Sequence, residues 1–123
     1  MTPKKILVVD DSSSLRSSVR TALSGAGYEV VEAADGALAL QQLDGRKFHL
    51  VISDLNMPNL DGIGLVTALK AKPAYRYTPV LMLTTESAAA KKEKAKAAGV
   101  KAWITKPFTV PVLLDTVSKL VIA

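Results

Sequence analysis

Residues 50–62 read Leu-Val-Ile-Ser-Asp-Leu-Asn-Met-Pro-Asn-Leu-Asp-Gly, an unbroken apolar run that ends at Asp54 and opens at once into a turn-rich loop. A strand without polar alternation has no face to offer water, so it needs cover on both sides. The same pattern recurs along the chain. Residues 6–9 run into Asp10-Asp11, residues 80–83 into Thr84-Thr85, and residues 102–104 through Thr105 into Lys106, with a further short run at residues 30–31. Between these runs the apolar residues take helical spacing: Leu15, Val19, Ala22 and Leu23; Ala37, Leu40 and Leu43; Ile63, Val66 and Leu69. An Ala- and Lys-rich segment at residues 87–98 and a segment at residues 110–121, with Leu113, Leu114, Val117 and Leu120 inward, complete the set. Ser12 or Ser13 is placed to cap the first helix, with Gly25 and Gly27 at its end. Asp35-Gly36 opens the second helix, and Gly45 and Gly99 fall at helix ends. Five βα units with short connections predict a doubly wound α/β fold, a five-stranded parallel sheet with five helices and right-handed crossovers. Alternation alone leaves the strand order open.

Composition agrees with one globular domain over residues 1–123. The chain is 49% hydrophobic and 22% charged, and a chain of this length buries roughly two thirds of its unfolded surface without a staple. It has no cysteine, which excludes thiol catalysis, Cys-ligated zinc and disulfide frameworks. The apolar run near the N-terminus is too short for a signal core or a membrane span, so the expected location is cytoplasmic, with no membrane insertion. A net charge of +5 suits an acidic partner surface, but 5% aromatic residues leave little for base stacking. The five βα units also use the whole chain and leave no helix-turn-helix, so DNA is not an expected partner. Five of the twelve lysines fall within residues 91–101, which makes the excess local.

In an open parallel sheet the carboxyl ends of the strands border the ligand crevice. Asp10, Asp11, Asp54, Thr84 and Lys106 therefore converge there: three carboxylates, a hydroxyl and an ammonium. Singly, each has a plainer reading, since Asp10 or Asp11 alone would cap a helix and Lys106 alone would be a solvated side chain. Their joint placement at four strand ends favours a site. Crowded carboxylates repel, and oxygen-only ligation suits Mg²⁺ or Mn²⁺. Mg²⁺ commonly takes one or two carboxylates plus a phosphoryl group, which leaves one aspartate to act as a nucleophile. Lys106 and Thr84 would then stabilise the transferred oxygens.

These residues resemble the receiver domain of two-component response regulators, in its stand-alone chemotaxis form. The likeness spans the chain. It rests on Asp10-Asp11, on Asp54 within residues 53–62 (SDLNMPNLDG), on Thr84, and on Lys106-Pro107-Phe108. It implies the flavodoxin-like strand order 2-1-3-4-5 and a cis Lys106-Pro107 bond. It implies that Asp54 is the phosphoacceptor, with a histidine kinase as phosphodonor and small donors such as acetyl phosphate as substitutes. Mg²⁺ would be held by Asp11, Asp54 and the backbone carbonyl of Asn56, with Asp10 assisting through water. Thr84 and Lys106 would bind the phosphoryl group, and Thr84 with Trp103, at the position of an aromatic switch residue, would carry the change outward. The output face would comprise the fourth helix, the fifth strand and the last helix, with Lys91, Lys92, Lys94 and Trp103 toward a downstream target such as a flagellar switch component. In this reading the domain catalyses only its own phosphorylation and dephosphorylation and is otherwise not an enzyme. Thr85 stands where a smaller residue is common, and Leu60 where Met is frequent.

Two alternatives share much of this chemistry: a phosphorelay intermediate, and a small aspartyl-nucleophile phosphohydrolase of the haloacid dehalogenase kind. The latter ends its first strand in D-x-D, whereas this chain has the adjacent pair Asp10-Asp11. His49, the single histidine, has no acidic neighbour in sequence and reads as a surface or half-buried residue. Met57 and Met82 read as packing residues, and Glu86 as a helix-start partner or a residue tuning water access. The Ala- and Lys-rich helix buries little apolar mass and suits an acidic partner. The last helix, with Val110, Val112, Leu113, Leu114, Val117, Leu120, Val121 and Ile122, carries more apolar surface than one buried stripe needs. A monomer is expected, and that helix is where a dimer or docking contact would form.

Overall fold

The computed structural model describes residues 3–121. Five strands, β1 (Lys5–Val9), β2 (Glu29–Ala33), β3 (Leu50–Ser53), β4 (Val80–Thr84) and β5 (Ala102–Thr105), alternate with five helices. These are α1 (Ser13–Gly25), α2 (Gly36–Gln42), α3 (Gly62–Lys70), α4 (Ala89–Ala98) and α5 (Val110–Leu120). Every strand pair is parallel, in the order β2-β1-β3-β4-β5. This is the flavodoxin-like order expected from the resemblance. The order reverses between β1 and β3, where a crevice must open at the strands' carboxyl ends.

Unbroken apolar strands give each face of the sheet its own core. Leu7, Val9, Val51, Val80 and Met82 face α2 and α3, packing on Ala39, Leu65, Val66 and Leu69. Ile6, Val8, Leu50, Ile52, Leu81 and Leu83 face α1 and α5, packing on Val19, Leu23, Leu113 and Val117. Side chains alternate along a strand, so adjacent residues serve opposite cores. The central strands β1, β3 and β4 are therefore apolar at nearly every position.

Polar residues set the helix starts. Ser12, Asp35, Asp61 and Thr109 each accept a backbone N–H of the following first turn, capping α1, α2, α3 and α5. The Ala- and Lys-rich helix starts two residues later than its composition suggests. Glu86 Oε2 accepts the Ala88 N–H at 3.3 Å, and α4 then begins after Ala88 with no side-chain cap. It buries only Ala95, as expected for a helix of small and charged residues. Gly99, in the left-handed region at φ +112°, closes it.

Gly45 does not end α2. The helix stops at Gln42, Leu43 turns into the core, and Gly45 donates its N–H to the Tyr75 hydroxyl at 2.8 Å. That tyrosine belongs to a single 3₁₀ turn, Pro73–Tyr75, which the periodicity does not reveal, because one turn is too short to show a period. On α5, Leu113, Val117 and the following Val121 are buried while Val110 and Val112 are about half exposed. Ile122, counted with that helix from sequence, lies outside the described residues. Among the described residues no helix is long and apolar enough to cross a membrane.

Asp35 joins two connections. Its Oδ1 accepts the Leu38 N–H at 2.8 Å, and its Oδ2 accepts from Asn59 Nδ2 at 2.8 Å. The Leu38 amide first, and then Asn59, hold this carboxyl below the usual aspartate range against the opposing effect of burial. A lowered folded-state pKa means the unfolded chain binds the proton more readily, so stability falls as pH drops through that range. Chemical denaturation of wild type and Asp35→Asn should show a stability gap that is largest at neutral pH and narrows between about pH 5 and about pH 2.

Candidate functional site

The sheet ladder continues one residue beyond three strands. The Asp10 N–H donates to Ala33 O at 3.1 Å, the Asp54 N–H to Val9 O at 2.9 Å, and the Lys106 N–H to Thr84 O at 2.8 Å. The backbones of the three charged residues are thereby held by the sheet. Asp10 Oδ1 accepts the Ser12 N–H at 2.8 Å and so turns the chain into α1. Asp54 Oδ1 accepts the Leu55 N–H at 2.7 Å.

Lys106, from the far end of the chain, closes the cluster. Its Nζ stands 2.8 Å from Asp10 Oδ2 and 3.4 Å from Asp54 Oδ2. Asp10 and Asp54 are buried and Asp11 is exposed, yet one carboxylate oxygen from each lies within 4.8 Å of the others. Three carboxylates against one ammonium leave two negative charges in the pocket. The nearest arginine does not cancel them. The Arg16 guanidinium donates to the backbone carbonyl of Asp10 and pairs with Glu32 at 3.2 Å, and Glu32 also takes Arg20 at 2.7 Å. An oxygen-only donor set with this residual charge fits a hard divalent cation.

The other expected site residues lie on the strand ends, connections and helix nearby in the fold. Thr84 is fully buried at the end of β4, and its Oγ1 accepts the Glu86 N–H at 3.3 Å, which leaves its own hydroxyl hydrogen to donate. Asn56 is exposed, two residues past Asp54 in the β3–α3 loop. Thr85, also exposed, lines a groove of about 390 Å³ with Leu15, Lys106, Pro107 and Phe108. The Lys106–Pro107 bond is cis. Trp103 sits apart on β5, half-buried, with its indole N–H donating to the Glu86 carbonyl at 3.2 Å and Lys92 Nζ 5.8 Å from its ring. That bond connects Trp103 to the same β4–α4 connection whose Glu86 amide binds Thr84. Lys91 and Lys94 are exposed on α4.

His49 is half-buried, as expected, and its Nδ1 accepts the Lys5 N–H at 3.0 Å. Burial, with Lys47 and Lys4 nearby, disfavours its charged form. Met82 is core and Met57 packs against it. Sequence reasoning missed the residues that brace the β3–α3 loop. The Gly62 N–H donates to Leu55 O at 2.7 Å, and a Cβ on Gly62 would collide with the Asp54 carbonyl oxygen. Asn59, at φ +69°, reaches Asp35 on the neighbouring connection. The run Asn59-Leu60-Asp61-Gly62 was legible as a turn, but its partner across the sheet was not.

With this geometry in place, the comparisons are specific. The chain matches the response regulator receiver domain family over residues 6–118, and it belongs to that family. Within it, the chain is a CheY-like response regulator of the chemotaxis class. It is 38% identical over 117 residues to the chemotaxis protein CheY of Pseudomonas aeruginosa, covering 94% of each chain. It is 42% identical over 113 residues to CheY1 of Helicobacter pylori strain J99, covering 90% of this chain and 91% of that one. The structure of Vibrio cholerae CheY4 superposes with a TM-score of 0.93 at 44% identity, covering 97% of this chain and 99% of that one.

The electrostatics of the cluster are open to direct test. Lys106→Met removes the ammonium from two buried carboxylates, and loss of one partner of such a pair costs about 2 kcal/mol or more. Thermal denaturation should show a lower midpoint than wild type, and millimolar Mg²⁺ should recover part of the difference by binding the folded state.

Proposed function

We propose that residues 1–123 form one receiver domain in which Asp54 accepts a phosphoryl group from the phosphohistidine of a histidine kinase. The observation that carries this reading is the meeting of Asp10, Asp11, Asp54 and Lys106 at the carboxyl ends of β1, β3 and β5, with buried Thr84 closing β4 between the last two. In the transfer, a carboxylate oxygen of Asp54 attacks phosphorus, the P–N bond breaks, and the donor imidazole leaves. The P–O bond that forms is an acyl phosphate on Asp54.

Asp11, Asp54 and the Asn56 carbonyl would hold Mg²⁺, with Mn²⁺ as a substitute, and Asp10 would assist through water. The bound ion supplies charge neutralisation to the oxygens being transferred. Lys106 contributes the protein's own positive charge, and the Thr84 hydroxyl donates a hydrogen bond. Holding these groups in place before the donor arrives is most of what phosphoryl transfer asks of a protein. The groove between Leu15 and Phe108, beside Lys106, offers the donor an approach. The domain catalyses its own phosphorylation and dephosphorylation and turns over no other substrate. Its proposed location is the cytoplasm.

The output runs through the β4–α4 connection. Phosphorylation adds about two negative charges and three acceptor oxygens. Drawing the Thr84 hydroxyl toward them disturbs its bond to the Glu86 amide, and the Glu86 carbonyl is the acceptor for the Trp103 indole. A hydrogen-bond change in the crevice thus reaches β5. A shift from about 1:99 to 99:1 needs roughly 5.5 kcal/mol, more than one or two charge-assisted bonds supply. Partner binding therefore completes the change. Lys91, Lys92 and Lys94 on α4, with Trp103, give this face a positive character suited to an acidic segment of a downstream target, of which a flagellar switch component is the proposed example.

Two experiments address the two halves of this reading. Incubation with a radiolabelled phosphodonor and Mg²⁺ should give stoichiometric, acid-labile label on wild type and none on Asp54→Asn, whereas sustained turnover of a phosphate ester would point to a hydrolase. Charge reversal at Lys91 and Lys92 should leave labelling unchanged and weaken capture of the acidic target by about tenfold, measured with the beryllofluoride-activated protein.

A further inference from the structure

The loop after Asp54 is braced at two points that no single stretch of sequence reveals. Its neck is closed by the Gly62 N–H on Leu55 O at 2.7 Å. Its tip is tied across to the β2–α2 connection by Asn59 Nδ2 on Asp35 Oδ2 at 2.8 Å. Asn59 adopts φ +69°, the one non-glycine residue in the left-handed region among those described. Asparagine tolerates that region better than other side chains of its size, at some cost, and here its amide is aimed at an acceptor. Asp35 is buried, and its second oxygen is already occupied by the Leu38 N–H. Its position is therefore set by α2, and it serves as a fixed anchor.

Packing reinforces the tie. A Cβ on Gly36 would lie 2.5 Å from the Leu60 carbonyl oxygen, so the start of α2 and the loop tip are in close backbone approach. Leu60 packs against the core formed by α2 and α3. Between the neck and the tip lie Asn56, Met57 and Pro58, and Asn56 is exposed, its carbonyl held by no hydrogen bond among the described residues. Within the loop the Leu60 N–H donates to Pro58 O at 2.8 Å and Met57 packs against the core, so the direction of that carbonyl is set by these contacts together with the two ends of the loop.

We propose that the Asp35–Asn59 hydrogen bond positions the Asn56 carbonyl for the divalent cation, which makes both residues positioning residues for the metal site. The inference rests on the reading of Asn56 as a metal ligand. A loop without this tie at its tip would leave the Asn56 peptide freer to reorient, and the cation would have to select among those orientations. Fixing the tip removes that selection before the cation arrives, in the way second-sphere partners orient direct ligands.

The test separates positioning from folding. Asn59→Gly keeps the left-handed backbone accessible and deletes the amide. Asp35→Ser keeps a good cap for α2, because serine is a favoured N-cap, but is too short to reach Asn59. Binding of Mn²⁺ and Mg²⁺ is measured by calorimetry and by electron paramagnetic resonance of Mn²⁺, alongside thermal denaturation without metal. Each variant should bind the cation roughly tenfold more weakly, the lower end for second-sphere changes. The double variant should bind no more weakly than either single one, because both delete the same tie. Variants that match wild type in cation affinity, whatever their thermal stability, overturn the proposal. So do losses that add in the double variant. Wild-type protein that binds neither cation, or binds it equally well as Asp11→Ala, overturns the underlying metal reading and this inference with it.

Discussion

Lys106 and the two carboxylates it touches define the problem that the rest of the molecule solves. An ammonium 2.8 Å from Asp10 and 3.4 Å from Asp54 is strong local compensation, but a third carboxylate, on Asp11, keeps the pocket negative. Bringing such groups together costs desolvation and repulsion that one ammonium only partly offsets. The two cores on either face of the sheet hold the strand ends in place regardless. A pocket kept short of positive charge in this way suits a hard divalent cation. The same unfavourable arrangement that weakens the folded domain is what prepares it for chemistry.

The scaffold separates rigid from adaptable parts. β1, β3 and β4 are buried along nearly their whole length, and their carboxyl ends carry Asp10, Asp54 and Thr84. By contrast, α4 buries a single alanine and begins without a side-chain cap. Few buried contacts mean a low cost of local rearrangement. Trp103 lies between these regimes, half in the core and half against Lys92, hydrogen-bonded to the connection that also binds Thr84. The chain from Thr84 through Glu86 to Trp103 is short and consists of named hydrogen bonds. A change at the pocket therefore has a physical route to the basic face of α4.

On the other side of Asp54, the β3–α3 loop is held at its neck and tip and exposed between them at Asn56. Gly62 admits the Asp54 carbonyl where any Cβ would collide, and Gly36 admits the Leu60 carbonyl. Asn59 and Asp35 bind across the gap between two connections. Asn56 and Thr85 remain exposed at the mouth. The site thus has a fixed rear wall of strand ends, a braced side loop and an accessible front.

Periodicity and the positions of a few polar residues carried most of the fold. Unbroken apolar runs at residues 6–9, 50–52 and 80–83 required two-sided burial, and Asp10, Asp11, Asp54, Thr84 and Lys106 each followed a strand, so a parallel sheet had to gather them. Those signals are local, set by the chemistry of adjacent residues. The strand order came from the resemblance and was borne out by the structure, since alternation of strands and helices is the same for several orders. Contacts between residues distant in sequence depended on the tertiary structure alone. Nothing about Asn59 announces Asp35, nothing about Trp103 announces the Glu86 carbonyl, and Gly45 looked like a helix stop until Tyr75 was seen to hold it. Hydrogen bonds between separate connections depend on ångström-scale placement, and that placement is decided only when the two cores have packed.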